Sequence, residues 1–395
     1  MHSSNVVICA AKRSAVGNFC GAFSDVEAHS ISVFVIKALL DSVGLGPDCV
    51  DELMAGQVLT TLCGQNPARN TALTVGMPEE STATTINQVC GSGLSAIAIA
   101  SQQILTGQSK LVIAGGHENM TRAPHAASLR HSPKMGNISL IDSMLNDGLM
   151  DVFSCTHMGI TAETLVKKYG ISRAEQDEFA LSSHQKANNA AQKGFFDNEI
   201  APVIIEGKKG SVTIDKDESI RPSTSMELLA KLRPAFLSDG TGTVTAGNSS
   251  GINDGSAFVI VTSEEFAKAK NLPIMAKIKS FAQVGVKPSI MGIGPISASK
   301  KALTKAGWDI SDLDLIECNE AFAAQTIAVN REMKWDLNKV NISGGAVALG
   351  HPIGASGARI VVTLLHNMKR LQAKKGLATL CVGGGMGLAM CFEAL

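Results

Sequence analysis

The sequence predicts an α/β protein built of two similar halves, with a long segment inserted into the first. Three observations predict it. Short β-branched runs alternate with helix-forming stretches near both ends of the chain, as strands feeding crossover helices do. The order helix, Gly44, Leu45 and the strand around Leu53 reappears as helix, Gly307, Trp308 and the strand around Ile316. Gly91-Ser92-Gly93, an apolar helix and a strand running to Gly116 reappear as Ala355-Ser356-Gly357, an apolar helix and a strand running to Gly383. A duplication with so long a period implies two stacked α/β units, and the seam between them is a natural place for a pocket.

The elements follow in order. Residues 5–10 are a β-branched run and the first strand. Residues 31–43 place Val33, Phe34, Ile36, Ala38, Leu39 and Leu40 at helical spacing, with Gly44 as a C-cap. A strand is expected over 50–56, a helix over 67–75 and a strand over 83–87 that leads to Cys90. After the helix behind Cys90, Lys110-Leu111-Val112-Ile113-Ala114-Gly115-Gly116 has the texture of a buried parallel strand. From Glu118 to Thr245 the texture changes to Ser, Asn, Pro, Met and charge. This stretch is too long for a plain connection and reads as an inserted, partly helical subdomain. Inside it Ser172 and Glu175 make a capping box for a helix over 172–193, and Lys208-Lys209 with Arg221 add local positive charge. Buried-strand texture returns at 257–261. A strand over 273–282, a helix over 295–306, a strand over 313–318 and a helix over 321–333 follow. Beyond a glycine-dense stretch at 344–357 come a helix over 358–369 and strands over 376–382 and 388–393, split by Gly383-Gly384-Gly385-Met386-Gly387. The expected division is 1–118 with 246–270 for the first half, 119–245 for the insertion, and 271–395 for the second half.

Composition excludes several classes. The 395 residues carry 35 basic and 35 acidic side chains, so no basic excess exists to hold nucleic acid without sequence preference. Nine cysteines, an odd number without CxxC pairs or metal-ligand spacing, read as free thiols in a reducing compartment. No metal site is expected. Met1-His2-Ser3-Ser4-Asn5 lacks the pattern of a secretory leader, and no apolar run of about 18 residues is seen that would span a membrane. A cytoplasmic protein is expected.

Cys90 stands where an extended run gives way to small residues and a helix, Asn87-Gln88-Val89-Cys90-Gly91-Ser92-Gly93-Leu94. Free backbone N–H groups and the helix dipole favour a thiolate there. Nucleophilic thiol chemistry also needs a base and donors for a developing oxyanion. The second half offers His351 before Pro352, Cys381 before three glycines, and Asn319-Glu320 after a strand, all at strand ends or glycine-rich turns where open α/β sheets place sites. Gly91-Ser92-Gly93-Leu94-Ser95-Ala96 also fits the dinucleotide pattern G-x-G-x-x-G/A, but no acidic residue closes the next strand before Glu118.

These stretches, with Asn319-Glu320-Ala321-Phe322-Ala323, Gly350-His351-Pro352-Ile353-Gly354-Ala355-Ser356-Gly357 and Cys381-Val382-Gly383-Gly384-Gly385-Met386-Gly387, resemble the thiolase family over nearly the whole chain, and its biosynthetic branch most. The resemblance implies two βαβαβαββ halves in a five-layered αβαβα body with an inserted loop domain. It implies condensation of two acetyl-CoA into acetoacetyl-CoA and CoA, and the reverse thiolysis. Cys90 would carry the acetyl group, His351 would accept its proton, and Cys381 would deprotonate the second acetyl-CoA. Asn319, through a water, and His351 would form one oxyanion hole; the N–H groups of Cys90 and Gly383 would form the other. Coenzyme A thioesters are substrates and no cofactor is implied. Their contacts would fall on His157, Met158, Arg221, Ala246, Ser250, Met291 and Phe322, with Met158 and Met291 shaping a short acyl pocket. A homotetramer, a dimer of dimers, is implied as well. The alternatives are a degradative 3-ketoacyl-CoA thiolase of broader chain length, a thiolase-fold binding protein without turnover, and a redox-sensing protein with a reversible Cys90–Cys381 disulfide.

Overall fold

The computed structural model describes residues 5–131, 133–207 and 210–395. The start of the chain (residues 1–4) and the Lys208-Lys209 pair lie outside the described residues. One large sheet organises the rest. Its strands are β1 (Val6–Arg13), β2 (Glu52–Gly56), β3 (Thr82–Ile86), β4 (Leu111–Asn119) and β5 (Asn253–Ser263) in the first half. The second half adds β6 (Ala276–Gly285), β7 (Leu315–Cys318), β8 (Lys375–Val382) and β9 (Met386–Glu393). Their order is β7-β8-β9-β6-β1-β5-β4-β2-β3, with the short strand Gly17–Asn18 beside β5.

The duplication is visible in the pairing. β4 and β3 flank β2 in parallel, and β5 lies antiparallel between β4 and β1. Likewise β7 and β8 are parallel, and β9 lies antiparallel between β8 and β6. The counterpart of β3 is reduced to a single parallel bridge between Ile316 and Val340. The halves join where β1 meets β6, Val7 opposite Lys277 and Ile8 opposite Ala276.

Side-chain alternation divides the core into layers. Along β4, Leu111 and Ile113 face an outer helix layer, while Val112 and Ala114 face the centre. Helices α1 (Ala28–Asp41) and α2 (Pro67–Val75) cover the outer face of the first half. Between the two half-sheets lie α3 (Ser92–Thr106) and, among the helices that follow α4 (Met158–Tyr169), α5 (Arg173–Gln192), α6 (Gly294–Ala306) and α7 (Ala323–Met333), the long α8 (Ile353–Leu371). Helices α6 and α7 cover the outer face of the second half. The result is the five-layered αβαβα thiolase arrangement.

Two sequence expectations are corrected here. The window Val89–Thr106 has a mean hydropathy of 1.2 and is long and apolar enough to span a membrane by composition, but 67% of it is buried inside the protein. It is apolar all round because α3 is sandwiched between two sheets and α8. And α8 begins at Ile353, not at 358, because the Gly354-Ala355-Ser356-Gly357 run is helical. Those small residues let α3 and α8 touch through their backbones. A Cβ on Gly357 would stand 2.4 Å from the Leu94 amide nitrogen, and one on Gly93 would stand 2.8 Å from that of Ala358.

The insertion between β4 and β5 holds α4, α5 and the five-residue helix Met226–Ala230. The capping box at Ser172 and Glu175 is present. The hairpin Val203–Gly207 with Gly210–Ile214 was not expected from the sequence texture.

Candidate active site

Cys90 lies just before α3, on a turn whose geometry is unusual. Val89 has φ +48°, a left-handed conformation that a β-branched residue adopts at a cost of about 1–3 kcal/mol. Local hydrogen bonds hold the turn. Ser92 Oγ accepts from the Gln88 amide at 2.8 Å and donates to the Val89 carbonyl at 2.7 Å, while Asn87 Oδ1 accepts from the Val89 amide at 3.0 Å. The turn presents the half-buried Cys90 to a cleft of about 590 Å³.

The cleft is built by three parts of the chain. The first half contributes Cys90, Ala246 and Ser250; the second contributes His351, Gly383, Met291 and Phe322; the insertion contributes His157, Met158 and Arg221. Every coenzyme contact expected from the resemblance therefore lines one cavity. Asn319 and Cys381 are fully buried and do not line it. Cys381 packs in a cluster with Met158, Met291, Ala321 and Phe322, directly behind the wall.

The electrostatics differ from the expectation at Cys90. Burial pushes its thiol up to about 11; the Gly383 and Cys90 backbone amides pull the other way and do not prevail, and Glu118 adds to the rise. In the unliganded site Cys90 is a thiol, so a helix start alone does not make it a thiolate. Burial raises the Cys381 thiol well above its ordinary range as well, with Cys90 and Cys318 adding to it. Both cysteines are free thiols.

His351 is buried, which lowers its pKa to about 4, and the Arg359 guanidinium acts in the same direction. Its ring is therefore neutral at pH 7. Nδ1 lies 2.5 Å from Ser356 Oγ, and that hydroxyl donates to the Pro352 carbonyl at 2.8 Å. With its one proton so used, Ser356 accepts from Nδ1–H, and the lone pair is left on Nε2. Among the described residues Nε2 has no hydrogen-bond partner, and neither do the side-chain oxygen and nitrogen of Asn319. Unsatisfied buried polar atoms are rare, because each costs about 1–3 kcal/mol.

Supporting residues that the sequence did not single out fix this arrangement. Asn253 Oδ1 accepts from the His351 amide at 2.9 Å. Glu118, at the end of β4, accepts from the amides of Val58, Leu59 and Gly354 at 2.9, 3.1 and 3.0 Å, tying the first half to the start of α8. Glu320 is held by Ser183 and Asn341 at 2.7 and 2.8 Å, which steadies the loop bearing Asn319. Glu163 accepts from the amides of Thr243 and Val244, both at 2.8 Å, shaping the segment before Ala246. The Ser250 amide and hydroxyl both donate to the Ala321 carbonyl at 3.0 Å. Phe236 stacks on His157 with centroids 4.6 Å apart and meets Phe322 edge-on at 6.1 Å. A buried carboxylate or an isolated Asn carries no spacing signal, so only coordinates reveal these partners.

Fold and site together define an α/β protein of duplicated halves with a thiol, a neutral imidazole and a glycine backbone at one cleft. The chain belongs to the thiolase family: residues 6–265 match the model of the thiolase N-terminal domain and 272–394 that of the C-terminal domain. It is 53% identical over 390 residues to the acetyl-CoA acetyltransferase of Paracoccus denitrificans, with 99% of each chain covered. The crystal structure of Bacillus anthracis acetyl-CoA acetyltransferase superimposes with a TM-score of 0.97 at 45% identity, covering 100% of this chain and 99% of that one. Human mitochondrial 3-ketoacyl-CoA thiolase in complex with CoA gives a TM-score of 0.94 at 42% identity, covering 99% and 98%.

Proposed function

We propose that the chain is an acetyl-CoA C-acetyltransferase, condensing two acetyl-CoA into acetoacetyl-CoA and CoA and running the reverse thiolysis. The observation that carries it is the convergence of the Cys90 thiol, Gly383 and His351 at one cleft, with the Asn319 side chain buried two residues before the lining residues Ala321 and Phe322. Cys90 gives its proton to His351 Nε2 and attacks the first thioester carbonyl. The Cys90 and Gly383 amides hold the oxyanion; CoA leaves as its thiol with the proton from His351. Cys381, having first lost its own proton to solvent, then takes as a thiolate a proton from the methyl of the second acetyl-CoA, while Asn319, through a water, and His351 hold the enolate oxygen. The carbanion attacks the acetyl-cysteine carbonyl, forming the new carbon–carbon bond and expelling Cys90, which regains a proton from Cys381.

The insertion, residues 119–245, serves as the coenzyme-A-binding loop domain between the first half (1–118, 246–270) and the second (271–395). His157, Met158, Ala246, Ser250 and Phe322 contact the pantetheine, and Arg221 the phosphate end. Met158 and Met291 beside Cys381 favour a short acyl chain over long 3-ketoacyl-CoA. The protein works in the cytoplasm, where its nine free thiols survive. Exposed apolar side chains in the insertion, Met135 at 91%, Val152 at 75% and Phe153 at 71%, support assembly into a homotetramer. The test is thiolysis of acetoacetyl-CoA by wild type and Cys90→Ser; unchanged turnover in the variant sinks the reading. A kcat/KM on a long 3-ketoacyl-CoA equal to that on acetoacetyl-CoA sinks the short-chain claim.

A further inference from the structure

A second cavity of about 570 Å³ lies outside the catalytic cleft, where the far end of α8 meets β1, the end of α1 and the loop after α5. Lys12, His366, Lys369 and Arg370 line it, and no carboxylate does. In a chain with equal numbers of acids and bases, four basic side chains in one hollow without a facing acid is an uncommon concentration.

His366 Nε2 donates to the Ala11 carbonyl at 2.9 Å, while the other three have donors to spare among the described residues. Lys12 Nζ gives one hydrogen bond, to the Asn198 carbonyl at 2.8 Å. Arg370 gives one, to Asn367 Oδ1 at 2.8 Å, and its guanidinium lies 3.8 Å from the centroid of the Phe195 ring. That stacking holds the planar head in place with its remaining N–H groups free. The Lys369 ammonium has no hydrogen-bond or ion-pair partner among the described residues. Glu199 does act on Lys12 and His366, but it is buried and already held by Arg13 at 2.7 Å and Thr363 at 3.2 Å. The floor is apolar, formed in part by Ala10, Val43 and Met275.

We infer that this hollow binds a compact small molecule bearing two or more negative charges, such as a diphosphate or a polycarboxylate. A planar fork and two flexible ammonium groups meeting at one hollow are the donor set such anions take. The pocket is large enough for a group of that size and has an apolar side for its carbon skeleton. The cations are also close enough to oppose one another: burial chiefly disfavours protonation of His366, Glu199 and the Ala11 carbonyl favour it, and Lys12 and Lys369 add to the opposition. A bound anion relieves that opposition.

The test is calorimetric titration of the full chain with inorganic pyrophosphate and, separately, citrate, in the presence of saturating CoA so that the catalytic cleft is filled. The variant is Lys369→Glu, whose side chain supports nothing in the fold and lies outside the catalytic machinery. Binding of either probe by wild type, weakened tenfold or more in Lys369→Glu with thiolysis unchanged in the absence of probe, supports the site. Which probe binds identifies phosphate or carboxylate chemistry. No binding of either probe, or binding equally tight in the variant, overturns it. Raising the salt concentration weakens true binding, as opposed charges at a partly open site are screened.

Discussion

His351 Nδ1 and Ser356 Oγ lie 2.5 Å apart, and this one contact decides which ring nitrogen can act. Because the Ser356 proton goes to the Pro352 carbonyl, Nδ1 keeps its hydrogen and Nε2 becomes the base. His351 lies just before the N-cap of α8 and Ser356 in its first turn, so the start of the helix sets the orientation.

Ser356→Ala is expected to lower kcat by about tenfold, the size of one lost hydrogen bond of about 1.4 kcal/mol, with little change in KM. The oxygen lost is a positioning group, so Ser356→Thr restores part of the rate. A KM effect with kcat unchanged contradicts the assignment.

Asn319→Ala removes a donor where enolate charge develops. A loss of about 10²–10³ in kcat is expected, with the fold intact. The Asn319 side chain makes no hydrogen bond among the described residues, so its removal breaks no partner there, and thermal unfolding should move little. A large drop in Tm with unchanged kcat identifies a structural residue instead.

Two pH effects follow from burial. The folded pKa of His351 is about 4, below its ordinary value near 6.5, so the base stays neutral and able to accept Cys90's proton down to about pH 4. Activity lost through His351 protonation therefore disappears near pH 4 rather than 6.5, and an acid limb centred at 6.5 contradicts this. Cys90 is raised to about 11, so its thiolate fraction at pH 7 is on the order of 10⁻⁴. Iodoacetamide modification of Cys90, followed on its own peptide by mass spectrometry, is expected to speed up tenfold per pH unit from 7 to about 10. A plateau above pH 7 contradicts it.

The seam between α3 and α8 has no room for a methyl group. Gly357→Ala forces a Cβ against the Leu94 backbone, and Gly93→Ala against that of Ala358. Each is expected to cost about 1–3 kcal/mol by overpacking, read as a lowered midpoint in chemical denaturation. A midpoint within error of wild type shows that the helices can part without cost.

Much of this was legible in the chain. The repeat of helix, glycine and strand gave the two halves, because each half must bury the same faces against the same neighbours. The four motifs placed Cys90, Asn319, His351 and Cys381 because each lies beside a turn rich in glycine or small residues. What the sequence hid has physical reasons. Glycines in 354–357 read as a loop, since glycine weakens an isolated helix, yet contact with α3 makes them necessary inside one. Ser356 looked like a small residue of the turn until its hydroxyl was seen between His351 and Pro352. The state of the Cys90 thiol depends on burial from three chain segments, and a helix start contributes only one part of that balance.

The central claim is that Cys90 carries the acyl group while Cys381 moves the proton. The most direct measurement is peptide mass spectrometry of the Cys381→Ser variant after incubation with acetyl-CoA. Blocking the second step traps the first, so the account predicts one acetyl group, found on the peptide containing Cys90. An unmodified Cys90 peptide, or an acetyl group on another cysteine, contradicts it.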